Sequence, residues 1–175
     1  VYLPWVFLLG RTPARLWTQA YSIESTPQRN MAGLEDVANF TSLTGAGLRA
    51  YVDMISKHVP DSQTPLIAPV GLAFLTIYEE DRDMWDKLFH CDRVHASPYG
   101  SFLQGCIVHY TLTGNMPDQD LVLRHDMSTL WWRARMMQHA WEPANPFPTR
   151  DEAIYLYGVA ERVAQEGYIP ASYID

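Results

Sequence analysis

The chain has 175 residues, 47% hydrophobic and 19% charged, which suits one globular domain with a real core and excludes a disordered segment. Its 13 Lys and Arg against 20 Asp and Glu give a formal net charge of -7, and without a basic run the chain lacks the electrostatic footprint of a nucleic-acid binder. The most apolar stretch, residues 1–10 ("VYLPWVFLLG"), is too short to cross a bilayer, so no membrane span is expected.

That opening stretch has neither the basic flank nor an obvious small-residue cleavage site of a signal peptide and reads as part of the fold. Because the first residue is Val1 and not Met, a preceding segment is expected. Residues 14–21 ("ARLWTQAY") alternate and are aromatic-rich, bounded by Pro13 and by the polar "SIESTPQRN", the pattern of a strand entering a loop. From residue 37 to 59 the apolar positions Phe40, Leu43, Leu48, Val52 and Ile55 recur at helical spacing, and "HVPDSQTP" supplies the stop. Asn39-Phe40-Thr41 fits an N-glycosylation acceptor and is compatible with a secretory route.

"PLIAPVGLAF" opens with a short apolar run between prolines, which predicts a buried strand at residues 66–68. Short helices are expected over 72–80 and 83–88, then a loop, then a helix over 99–112 closed by Gly114 as a C-cap. Residues 118–141 carry Leu123, Met127, Leu130, Trp131, Ala134 and Trp141 at three- and four-residue intervals, the pattern of a long amphipathic helix. After "EPANPFP", Thr149 and Glu152 form a capping box for a last helix to about residue 165, and "EGYIPASYID" is a tail. The alternation of strand and helix predicts an α/β class.

The loop "FHCDRVHASPYGSFLQG", residues 89–105, raises a chemical question. Ser97 as N-cap and Pro98 at the first helical position explain how a helix begins there. They leave Asp92 and His95 without a role. Three residues apart in a turning loop, the Asp92 carboxylate can accept a hydrogen bond from one ring nitrogen of His95, leaving the other as a base, the arrangement used in Ser-His-Asp catalysis.

"APVGLAF" followed by "DRVHASPYGSFLQGCIVHYTLTG" resembles the C-terminal part of the SGNH (GDSL-type) hydrolases, in which Asp-x-x-His precedes Ser-x-x-Gly and an apolar helix. "LWTQAY" is similar to a family strand ending in Thr-Trp-Ala, with Trp17 and Thr18 in swapped order. The resemblance runs from about residue 14 to 114. It implies a three-layer α/β/α, flavodoxin-like fold, here a partial domain over 1–114 with a helical extension over 115–175. It also implies a serine nucleophile, an oxyanion hole with Gly and Asn contributions, and hydrolysis of esters, commonly of acylated sugars or lipids. Carried onto this chain, Asp92 orients and His95 is the base.

The chain departs from the family at Ala96, where many members have Pro, and in having no Gly-Asp-Ser and no Gly-x-Asn-Asp block. Ser22, Ser25 and Ser101 lie in no such block. The expectation is therefore a hydrolase portion whose nucleophile lies elsewhere, with a catalytically inactive accessory subunit of a larger assembly as the alternative. A protein partner, or a missing N-terminal half, is expected to cover the sheet edge.

Other readings of the same residues are blander. Cys91, His95, Cys106 and His109 match no familiar zinc spacing, and a Cys91–Cys106 bridge competes with Cys106 as a small buried hydrophobe. No cofactor or metal is expected. His58, His90, His125 and His139 are scattered and read as structural or solvated. "LWWRARMMQHAW", residues 130–141, is either core or a partner-binding stripe rich in Trp, Met and Arg.

Overall fold

The computed structural model of the protein describes residues 16–18, 34–89, 96–123 and 147–173. In chain order the elements are β1 (Leu16–Thr18), α1 (Leu34–Ser56), a 3-10 turn (Asp61–Gln63), β2 (Leu66–Ala68), α2 (Val70–Glu80), α3 (Arg82–Lys87), α4 (Pro98–Thr113), α5 (Gln119–Val122) and α6 (Arg150–Ala164). β1 and β2 pair in parallel, Leu16 opposite Leu66 and Thr18 opposite Ala68. Parallel neighbours need a crossover connection, and α1 lies in it.

The core is built around α2. From Val70 to Tyr78 its sequence is almost wholly apolar, so this part must be surrounded, and over that stretch every residue is buried except the half-buried Leu72. α1, α3, α4 and α6 pack on it, and α4 and α6 lie along one another. Phe74, Leu75 and Ile77 of α2 join Leu103 and Ile107 of α4 and Leu156 and Val159 of α6 in one cluster. At one end Trp85 and Phe89 stand edge-on to Phe74, with centroids 6.1 and 5.7 Å from it, and the Arg82 guanidinium covers the Tyr78 ring 3.3 Å from its centroid. Such edge-to-face pairs add about 0.5–1.5 kcal/mol each beyond the area they bury.

The expectation of a three-layer α/β/α domain is overturned. The described residues are predominantly helical, and the two strands are three residues each. A sheet layer between helical layers buries both faces of several strands, whereas β2 buries Ala68 and leaves Leu66 exposed. Strand-helix alternation is present locally, but helix packing on α2 supplies the core.

Element by element, the described segments follow the sequence closely. β2 lies at the expected residues, and Gly114 ends α4 at φ 73°, its N–H donating to the Tyr110 carbonyl, a left-handed conformation that favours glycine. α1 holds a correction. Leu43, expected on its inner face, is 75% exposed, while Val37, Ala38, Thr41 and Leu48 are buried and Gly45 with them. Small residues allow close approach, and the Thr41 hydroxyl is satisfied inside the core by donating to the Val37 carbonyl at 2.8 Å.

The C-terminal tail is fastened rather than loose. Glu79, near the end of α2, accepts from the Ala171 and Ser172 amides at 3.3 and 3.0 Å and from the Ser172 hydroxyl. Arg49 of α1 donates to the Tyr173 hydroxyl at 2.7 Å. Of the helix expected over 118–141, α5 is the described part; residues 1–10 and the 130–141 stripe lie outside the described residues. No helix among the described residues is long and apolar enough to cross a membrane.

Candidate functional site

Asp92 and His95, the two residues to which the sequence assigns chemistry, lie outside the described residues, as do Cys91, Ser22 and Ser25. Both sides of their loop are described. Phe89 and Ala96 form an antiparallel bridge, so the chain leaves the end of α3 and re-enters at the start of α4 from neighbouring points.

Ser97 ties the two sides together. Its amide donates to the Leu88 carbonyl at 2.9 Å, and its hydroxyl donates to the Lys87 carbonyl. The same oxygen accepts from the Tyr99 and Gly100 amides at 3.1 and 3.4 Å, completing the N-cap that the sequence predicts. Ser97 is 2% exposed. A hydroxyl committed to a backbone carbonyl and buried at a cap is a structural group rather than a nucleophile. Gly100 packs directly on Leu88: a Cβ there would stand 2.3 Å from the Leu88 carbonyl oxygen.

Beneath this junction lies a polar cluster. The Glu152 carboxylate, in the first turn of α6, accepts from Lys87 Nζ at 2.8 Å through Oε1, and from the Tyr99 hydroxyl at 2.9 Å and the Thr149 amide at 2.8 Å through Oε2. The Thr149 hydroxyl accepts in return from the Glu152 amide, so the expected capping box is present. Burial pushes the Glu152 carboxyl up, but the hydrogen bonds from Lys87, Thr149 and Tyr99 outweigh it and hold the group at about 2. Burial first, then the bond and charge of Glu152, raises the Tyr99 phenol to about 12. The cluster is thus one anion, one cation and neutral hydroxyls at neutral pH.

Sequence reasoning found Glu152 only as a capping residue. Its contacts with Lys87 and Tyr99 span 65 and 53 residues, and no local pattern encodes them. One hint is present: Lys87 and Tyr99 flank the Asp92–His95 segment on opposite sides.

A second cluster closes the far end of α2. Arg162 donates in bidentate fashion to Glu80, Nη1 to Oε1 at 2.9 Å and Nη2 to Oε2 at 2.8 Å, and Tyr155 adds a hydroxyl at 3.3 Å. These bonds join α2 to α6 and close back on the protein's own groups.

The zinc reading required Cys106 and His109 to share a face of α4. Cys106 points into the core while His109 is exposed, and among the described residues no three potential ligands gather around a metal position. Cys106 is a free thiol that burial pushes up to about 12, so it is a small hydrophobe rather than a reactive or bridged cysteine. Asn39 lies within α1 with Thr41 buried beside it, a helical setting rather than the surface loop that glycosylation favours. Compared with protein-family models, curated proteins and solved structures, the chain matches none.

Proposed function

We propose that the chain supplies the Asp-His half of a serine ester hydrolase, with His95 as general base and Asp92 orienting it. The serine would come from outside these 175 residues. The observation that supports this reading is the clamp at the α3–α4 junction, where Phe89 pairs with Ala96 and Ser97 binds the carbonyls of both Lys87 and Leu88. Catalytic groups need a support that holds their geometry, and this junction fixes both sides of a six-residue segment containing Asp92 and His95. The likeness to SGNH hydrolases behind the proposal is one of motif; the family's three-layer fold forms no part of it.

In this chemistry the serine oxygen attacks the ester carbonyl carbon while His95 takes its proton. The carbonyl–alkoxy bond then breaks, and the leaving alcohol takes that proton from His95. Water, deprotonated by His95, attacks the acyl-enzyme, releases the acid and restores the serine. Acylated sugars or lipids are the substrate class the motif suggests. Hydrolysis of a short-chain p-nitrophenyl ester by the native protein, with any chain that copurifies, tests the reading. His95→Ala should lower kcat/KM by about 10³-fold or more, and equal rates for the two proteins would sink it.

One observation favours a second reading, an inactive accessory subunit. Neither a Gly-Asp-Ser nor a Gly-x-Asn-Asp block occurs in the chain. That reading expects no hydrolysis and a chain held in a larger assembly.

A further inference from the structure

We propose that residues 170–173 form a releasable strap that locks α1 onto α2, because this short turn is bound at once by the Glu79 carboxylate of α2 and by the Arg49 guanidinium of α1. The strap stands whether or not the chain hydrolyses esters.

The tail is built to swing from a fixed base. Beyond α6, Gly167 turns the chain back at φ 71°, a left-handed conformation that favours glycine, and the Tyr168 amide donates to the Arg162 carbonyl at 2.9 Å. The Arg162 guanidinium lies over the Tyr168 ring, 5.4 Å from its centroid, so this base is pinned to α6. Past it the chain makes a second turn, in which the Tyr173 amide donates to the Pro170 carbonyl at 3.1 Å. That turn presents Ser172 to one helix and Tyr173 to another. Glu79 of α2 accepts from the Ala171 and Ser172 amides and from the Ser172 hydroxyl. Arg49 of α1 donates to the Tyr173 hydroxyl at 2.7 Å, its guanidinium 5.9 Å from the centroid of the same ring.

The attachment is polar and shallow, which makes it releasable. Ile169 is 55% exposed, Ala171 is exposed, Ser172 and Tyr173 are half-buried, and Pro170 is the one buried residue between 165 and 173. Segments with few buried apolar contacts open locally, well before the fold unfolds as a whole. α1 depends on such a fastening. Beside Val37 and Leu48 it buries the small side chains of Ala38, Thr41 and Ser42, which remove less apolar area from water than Leu103 and Ile107 of α4 or Leu156 and Val159 of α6. Release of the strap therefore loosens α1 on α2 while α4 and α6 stay packed.

Ser172→Asp tests this in the full chain, because a second carboxylate set against Glu79 repels it and drives the strap off. Glu79→Gln is the milder variant, losing the charge but keeping one acceptor oxygen. By NMR both should abolish the nuclear Overhauser contact between the Tyr173 ring and the Arg49 side chain. The amides of Thr41, Gly45 and Leu48 in α1 should then exchange about ten-fold faster than in wild type, while those of Leu103, Ile107 and Leu156 stay within about two-fold. Tyr173→Phe, which cuts only the bond to Arg49, should give a smaller rise confined to α1, and Ser172→Thr, which keeps the hydroxyl, should match wild type. Retention of the Tyr173–Arg49 contact in both Ser172→Asp and Glu79→Gln overturns the strap. Release without faster exchange in α1, or with equal acceleration in α1, α4 and α6, overturns the lock: the first result marks an idle tail, the second a loss of global stability.

Discussion

Gly100 lies so close to Leu88 that a Cβ on it would stand 2.3 Å from the Leu88 carbonyl oxygen and 3.2 Å from the Ala96 Cβ. The obstructing atom belongs to the backbone, so no rotamer change relieves it. Gly100→Ala must push the first turn of α4 off the end of α3 and strain the Ser97–Leu88 hydrogen bond. Urea unfolding should show a loss of about 2–3 kcal/mol, and a loss under about 0.5 kcal/mol contradicts the close approach.

Ser97→Ala removes the cap of α4 and the donor to the Lys87 carbonyl together. A lost N-cap costs about 0.5–2 kcal/mol, and the hydrogen bond from the Ser97 hydroxyl to the Lys87 carbonyl is lost with it. Pro98→Ala, beside it at the first helical position, removes no hydrogen bond and should cost only a few tenths of a kcal/mol by comparison. Thermal unfolding of the two variants in parallel checks the order, and a larger drop for Pro98→Ala would be inconsistent with the capping geometry.

The Glu152 carboxyl sits at about 2 in the folded protein against an ordinary 4.5. A folded value below the unfolded one means that the unfolded chain takes up its proton first as pH falls. The stabilisation is complete above about 4.5 and drains away as pH drops towards 2. Glu152→Gln should therefore flatten the decline in unfolding midpoint between pH 4.5 and 2, leaving the residual slope to other carboxylates. An unchanged slope in that variant counts against the three hydrogen bonds assigned to Glu152.

Burial separates the worth of two contacts made by α6. Leu156 is fully buried, and Leu156→Ala should cost about 2–5 kcal/mol. The Arg162 and Glu80 side chains are 36% and 32% exposed, so Glu80→Gln should cost less than about 1 kcal/mol and matter less still at high salt. Chemical denaturation at two salt concentrations measures both, and a salt-independent loss of several kcal/mol for Glu80→Gln contradicts the assignment.

The helices were legible where each carries its own punctuation: Ser97-Pro98 and Gly114 bracket α4, and Thr149 with Glu152 opens α6. β2 was legible from an apolar run between prolines. The buried face of α1 was not, because Ala38, Thr41 and Gly45 pack inside while the larger Leu43 faces out, and side-chain size misleads where backbones approach closely. The layer architecture was not legible either. Alternating strands and helices predict neighbours, but not how many strands assemble, and the largely apolar, buried α2 took the place a sheet was expected to fill. At the site, the cap was read from adjacent residues, whereas Glu152 meets Lys87 and Tyr99 only through tertiary packing. The roles of Asp92 and His95 still rest on the sequence motif.

The central claim, that His95 serves a serine nucleophile, is tested most directly by fluorophosphonate labelling of the native protein with every chain that copurifies, followed by mass spectrometry of the labelled peptide. The account predicts one labelled serine outside these 175 residues, with labelling lost in His95→Ala and greatly slowed in Asp92→Asn. Absence of labelling in the wild type, or labelling indifferent to His95→Ala, would contradict it.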